Sequence, residues 1–133
     1  MKNRLEDCPI HLGLGARAVV EPPFTGLEWY GDYVQRHAAD GAEGRLVSVH
    51  SFAESWDSWE MHPAGDEVVL CLAGTMVLHQ EFPDGRVTQV RIAAGDYAIN
   101  PPGVWHTADV DVEGGAAQAL FITAGLGTQH RPR

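Results

Sequence analysis

From Arg45 onward the chain breaks into short runs rich in β-branched and aromatic residues, punctuated by turn residues at roughly 8 to 12 residue intervals. That rhythm excludes a helical bundle or an alternating α/β layout and points to an all-β sandwich or barrel. The runs are Leu46–Ala53, Ser58–His62, Glu67–Ala73, Thr75–Phe82, Val87–Ala93, Asp96–Asn100, Thr107–Val112 and Gln118–Ala124. Pro83-Asp84-Gly85-Arg86 is a hairpin turn, and Gly74, Gly95 and Gly114-Gly115 mark further corners. No linker, repeat or low-complexity stretch interrupts the pattern.

The first 44 residues have a different texture. Ala16-Arg17-Ala18-Val19-Val20 is a lone edge strand or an arm laid over a partner, and residues 27–43 form one short helix closed by Gly41. We therefore read one domain over 1–133: an N-terminal arm and helix to 44, a barrel over 45–125 and a tail over 126–133. A chain of 133 residues is long enough to bury a self-standing core.

Eighteen acidic residues against nine basic ones give a formal charge of -9, which removes electrostatic attraction to nucleic acid or an anionic membrane surface. A small-molecule or protein partner is left. Cys8 and Cys71 make no disulfide framework, and Cys71 lies in an apolar run as core filler. Reduced thiols, no apolar run near the ~18 residues of a membrane span and charges near the N-terminus place the protein in the cytoplasm.

Strand periodicity decides which side chains can meet. Glu60 and His62 share one face of their strand, with Trp59 and Met61 on the other. In the next run Glu67, Val69 and Cys71 face opposite to Val68, Leu70 and Leu72. Both faces of that strand are apolar beyond Glu67, so its outer side is covered by the N-terminal segment or by a second subunit, and a homodimer follows. Pro63-Ala64-Gly65-Asp66 lets the chain turn so that the ligand-type side chains at 62 and 67 return to one place. With His106, these residues form a constellation with metal-site chemistry.

Residues 60–74 read E-x-H-x4-E-x6-G, and residues 95–106 read G-x5-P-x-G-x2-H. The pair resembles the two motifs of the cupin superfamily, small double-stranded β-helix (jelly-roll) barrels. His62, Glu67 and Gly74 match the first motif, and Gly95, Pro101, Gly103 and His106 the second. Val110 stands where many members have asparagine, and Glu60 replaces the usual first histidine. The resemblance implies that His62, Glu67 and His106 line the lumen and bind a divalent transition metal such as manganese, iron, nickel or zinc. Glu60 is then either a fourth ligand or a group orienting a ligand or water.

Trp56, Trp59 and Trp105 flank the motif residues and, with His50, are candidates for a substrate pocket, Trp105 foremost because it adjoins His106. His79 reads as exposed, and His11, His37 and His130 have no supporting pattern. Asp109, Asp111 and Glu113 read as a solvated strand face. No nucleophile elbow, P-loop, dinucleotide fingerprint or paired C-x2-C occurs. Three functions stay open: a metal-dependent enzyme on a small organic molecule, of dioxygenase or isomerase type; a ligand-binding or sensory barrel; and a metal-free isomerase or lyase with Glu60 as general base.

Overall fold

A computed structural model describes residues 2–133. Its strands are β1 (Ile10–Gly13), β2 (Arg17–Val20), β3 (Arg45–Phe52), β4 (Ser58–Met61), β5 (Glu67–Ala73), β6 (Thr75–Glu81), β7 (Val87–Ala93), β8 (Tyr97–Asn100), β9 (Trp105–Val110), β10 (Ala117–Thr123) and β11 (Gln129–Pro132). One helix, α1 (Leu27–Arg36), precedes β3. Every strand pairing is antiparallel, and the strands form two sheets, ordered β2-β1-β3-β10-β5-β8 and β11-β4-β9-β6-β7. This is the jelly-roll expected from the sequence, with one refinement: the sheets face each other across the core and do not join into a closed barrel.

Alternation along the strands builds the core. Val69, Cys71, Ala117, Ala119 and Phe121 from the six-stranded sheet meet Met76, Leu78, Ile92, Ala108 and Val110 from the five-stranded one. Gly74 joins β5 to β6 at φ 70, and a Cβ there would come within 2.8 Å of the Ala116 carbonyl. The corner thus requires glycine on both conformational and steric grounds.

At one end of the interior the filling changes from apolar to polar. Cross-strand register places His130, Glu60, His106, Gln80 and Thr88 in one row across all five strands of the smaller sheet. A second row, Leu46, Thr123, Glu67 and Asn100, crosses the larger sheet opposite it. The functional layer lies between these rows.

The flanking segments differ from expectation. The N-terminal strand is not alone: β1 pairs with both β2 and β3, extending the sheet. Residues 126–133 are not a loose tail, because β11 pairs with β4 and carries His130 opposite Glu60. Helix α1 buries Trp29 and Tyr33, one turn apart, and stops at Arg36. His37 leaves helical geometry there, and the following 3-10 turn over Ala38–Glu43 is broken at Gly41, with φ 58 and ψ -144. Residues 2–6 lie beside Val49, Leu72 and Leu120, partly covering the outer face of β5. Among the described residues no helix is long and apolar enough to cross a membrane.

Candidate metal centre

Glu60, His62, Glu67 and His106 converge, with one ligand-type atom from each lying within 4.8 Å of the others. Glu60 comes from β4, His62 from the residue just beyond it, Glu67 from the first position of β5 and His106 from β9. His62, Glu67 and His106 are buried, while Glu60 keeps about a third of its side chain exposed. His62 Nε2 is 3.0 Å from Glu67 Oε2, and His106 Nε2 is 3.2 Å from Glu67 Oε1. Both imidazoles stand 3.8 Å from Glu60 Oε2.

Hydrogen-bond direction gives these distances their meaning. Thr128 donates its hydroxyl proton to the Gly125 carbonyl at 2.8 Å. Its oxygen is therefore left to accept from His62 Nδ1–H, also at 2.8 Å. The remaining nitrogen, His62 Nε2, faces the carboxylates. His106 Nδ1 points to the Val104 carbonyl at 3.4 Å, a long contact that favours the same tautomer. Neither Nε2 makes a hydrogen bond, although both are buried. The carboxylate oxygens lie near them but off the hydrogen-bonding direction. Two buried, unpartnered nitrogens beside two carboxylates form a donor set that suits a divalent cation. Separations near 3 Å also match neighbouring ligands on a metal with bonds of about 2.1 Å.

A second ring of groups fixes Glu67. Asn100 Nδ2 donates to its Oε1 at 3.1 Å, and Thr123 Oγ1 donates to its Oε2 at 2.7 Å. Gln80 holds Asn100 by donating to Asn100 Oδ1 at 2.8 Å, and Thr88 donates to Gln80 at 3.1 Å. Glu60 accepts from His130 Nε2 at 3.2 Å. Burial acts to raise the Glu67 pKa, but His106 and His62 outweigh it and hold the carboxyl well below the usual range. Burial likewise acts to lower the His106 pKa, and Glu60 and Glu67 outweigh it, raising it to about 9. Glu60 is also held below its ordinary value, against burial, chiefly by His106.

A cavity of about 980 Å³ opens from this layer, roofed by Leu27, Tyr30 and Val34 of α1. His50 lies on its wall. Trp59 and Trp105 do not. Both precede inward-facing residues by one position, so the pleat turns them outward, where the Arg131 guanidinium lies over their rings at 5.1 and 4.5 Å. The cavity tryptophan is Trp56, with Phe24, Phe52 and Phe121 nearby. Trp56 belongs to a loop, where periodicity gives no direction.

Several histidines read as unpatterned or exposed are committed to partners. His79 Nε2 meets Asp109 Oδ2 at 2.7 Å. His11 contacts Tyr33 and Asp40, each at 2.6 Å, and His37 bonds Glu21. Thr128, Asn100 and Thr123 had no signal in a single sequence, since polar residues at strand ends and turns are common everywhere.

No family model matches the chain, and no curated protein matches it by sequence. Solved structures do match. A point mutant of Bacillus subtilis oxalate decarboxylase aligns with a TM-score of 0.58 and 13% identity, over 74% of this chain and 26% of that one. Oxalate oxidase in complex with the substrate analogue glycolate gives 0.56 and 15%, over 64% and 45%. Hydroquinone 1,2-dioxygenase from Sphingomonas sp. TTNP3, with 4-hydroxybenzoate bound, gives 0.50 and 16%, over 59% of each chain. The chain has the cupin fold, and it spans only about a quarter to three fifths of these three neighbours.

Proposed function

We propose that this is a metal-dependent cupin enzyme acting on a small organic molecule held in the cavity under α1. The carrying observation is the pair of buried, unpartnered Nε2 atoms of His62 and His106 facing the Glu67 carboxylate. His62, Glu67 and His106 hold the divalent transition metal, and Glu60 completes the set from the cavity side. A metal there supplies Lewis-acid polarisation of a bound oxygen or, for a redox-active ion, electron transfer. The protein's part is to fix the imidazole tautomers through Thr128 and Val104, lock Glu67 through Asn100 and Thr123, and enclose the ligand. The neighbours' names point to oxalate and hydroquinone, two unlike substrates, so the shared fold does not select between oxygenase and isomerase chemistry.

The test is metal content after stripping and reloading tag-free protein. Wild type is expected to hold one ion per chain, His62→Ala to lose it and Glu60→Ala to keep it more weakly. Far less than one ion per wild-type chain refutes the reading. Full retention in Glu60→Ala with loss of turnover instead favours Glu60 as a general base, a role its partly exposed position at the cavity allows.

We also propose that the protein is a homodimer through the outer face of the larger sheet. Register aligns Val20, Ile10, Val47, Ile122, Val68 and Ile99 in one row across its six strands. A parallel row holds Val49, Leu120, Leu70 and Tyr97, and residues 2–6 lie beside its Val49–Leu120 end, leaving Leu70 and Tyr97 to the interface. Val20, Ile99 and Tyr97 are exposed, as expected for an apolar face that meets a second copy.

A further inference from the structure

The cavity differs chemically from one built for an organic acid. Four of its lining residues are acidic, Glu60 and Glu67 at the centre and Glu54 and Asp57 at solvent-exposed positions, and among the described residues that line it there is no lysine or arginine. Outside the centre, its remaining titratable groups add little compensating charge. Burial lowers the His50 pKa, leaving that imidazole neutral. His11 and His37 are bonded to carboxylates of their own, Asp40 and Glu21, and His130 is exposed and bonded to Glu60. Tyr30 reaches the cavity from α1 as a neutral phenol, its pKa raised to about 12 by burial first and then by Glu60 and Glu67.

The centre itself points the same way, on the metal reading given above. A divalent ion held by two carboxylates and two neutral imidazoles would form an electrically neutral centre. A site with one carboxylate would keep a charge of +1 to attract an anion, and Glu60 removes it. A carboxylate ligand would therefore bring a negative charge to a neutral centre inside an acidic cavity, with no guanidinium or ammonium to receive it.

The walls define the body of the ligand. Phe24 lies 5.3 Å from His50 between ring centroids, Phe52 is 5.4 Å from Trp56, and Phe121 is within about 6 Å of His50, Phe52 and Trp56. This is a continuous aromatic surface suited to a flat ring. The Trp56 indole N–H is buried and has no acceptor within the protein, so its proton reports on changes in this aromatic wall.

We infer that the cavity takes an uncharged, ring-bearing compound that presents a carbonyl or hydroxyl oxygen to the Glu60–His62–Glu67–His106 cluster, and that it discriminates against carboxylates of the same shape. This specifies the substrate class of the proposed enzyme and rests on that reading for the neutral centre; the lack of lysine and arginine among the described residues lining the cavity does not depend on the metal, whereas without metal His106 carries a proton.

Benzamide and benzoate are nearly isosteric and differ by one charge, so they isolate the effect. Binding is measured at pH 8 by calorimetry and by the shift of the Trp56 indole proton, assigned with Trp56→Phe, on protein of known metal content. The expected result is at least tenfold tighter binding of benzamide. Glu60→Gln, which returns a positive charge to the loaded centre, should narrow that ratio several-fold. Equal or tighter binding of benzoate to metal-loaded wild type overturns the inference and leaves the metal centre standing. Protein that takes up no metal yet still prefers benzamide overturns the metal reading and supports this one. If neither probe binds at millimolar concentration, the aromatic ligand class is wrong.

Discussion

Thr128→Val tests the construction of the centre away from its ligands. Valine matches threonine in shape but offers His62 Nδ1–H no acceptor, so a buried donor loses the 2.8 Å contact that fixes its ring. Stranding such a donor costs about 1–3 kcal/mol. Removing a group that orients a metal-bound histidine typically weakens affinity by about 10–100-fold, or roughly 1.4–2.7 kcal/mol. The two ranges overlap, and a loss of about 2 kcal/mol is expected, near thirtyfold in Kd. The assay is competition for metal against a chromophoric chelator, with Thr128→Ser as the rescue because it keeps the hydroxyl. Thr128 also closes the turn back to the Gly125 carbonyl, so a melt of the metal-free proteins separates loss of fold from loss of affinity. Unchanged metal affinity in a folded Thr128→Val protein would refute the claim that this hydroxyl sets the His62 tautomer.

Four further outcomes can be measured. His106 must lose its proton to bind a metal, so apparent metal affinity should climb with pH up to about 9 and level off above it, as read by titration at several pH values. In the metal-free protein the sign is opposite for stability: the raised His106 pKa contributes fully below pH 6.5 and is lost as pH rises through about 9, so the melting temperature should fall across that window. Trp105→Phe should leave benzamide binding within twofold of wild type, whereas Trp56→Phe should weaken it, because only Trp56 faces the cavity. Ile122→Glu, in the middle of the apolar row, should convert a dimer into a monomer in sedimentation or light scattering; a wild-type monomer at micromolar concentration would refute the proposed interface.

The strands from residue 45 to 125 were legible because each has a buried face, and burial writes a two-residue period into the sequence. The convergence of residues 60, 62, 67 and 106 was legible for a related reason: Glu60 and His62 share a strand face, and Pro63 through Asp66 turn the chain back to Glu67. What was hidden had no period. Strand β11 reads Gln129-His130-Arg131-Pro132, largely polar and on a sheet edge, so its pairing with β4 is a tertiary outcome. The placement of Trp105 was recoverable by extending to β9 the alternation already applied to β4, since a residue beside an inward histidine must point outward. Thr128 and Asn100 act through direction and distance, which a linear pattern does not encode.

The least patterned part of the sequence builds the roof of the cavity. His11 of β1 accepts from the Tyr33 hydroxyl of α1 on Nδ1 and donates from Nε2 to Asp40, and Arg17 of β2 donates to Asp40 at 2.8 Å. His37 stacks on His11 at 3.6 Å between centroids and bonds Glu21, which follows β2. None of these groups is a buried polar atom left without a partner, unlike the Nε2 atoms of the candidate centre. The contrast separates two roles for similar residues: a set of His, Asp and Glu whose atoms pair among themselves is a clasp, and a set whose nitrogens stay unpaired is a place for something else. The clasp ties the N-terminal hairpin to α1, and α1 carries Tyr30 over the cavity. The irregular first 44 residues therefore matter to the cavity as much as the regular strands matter to the candidate centre.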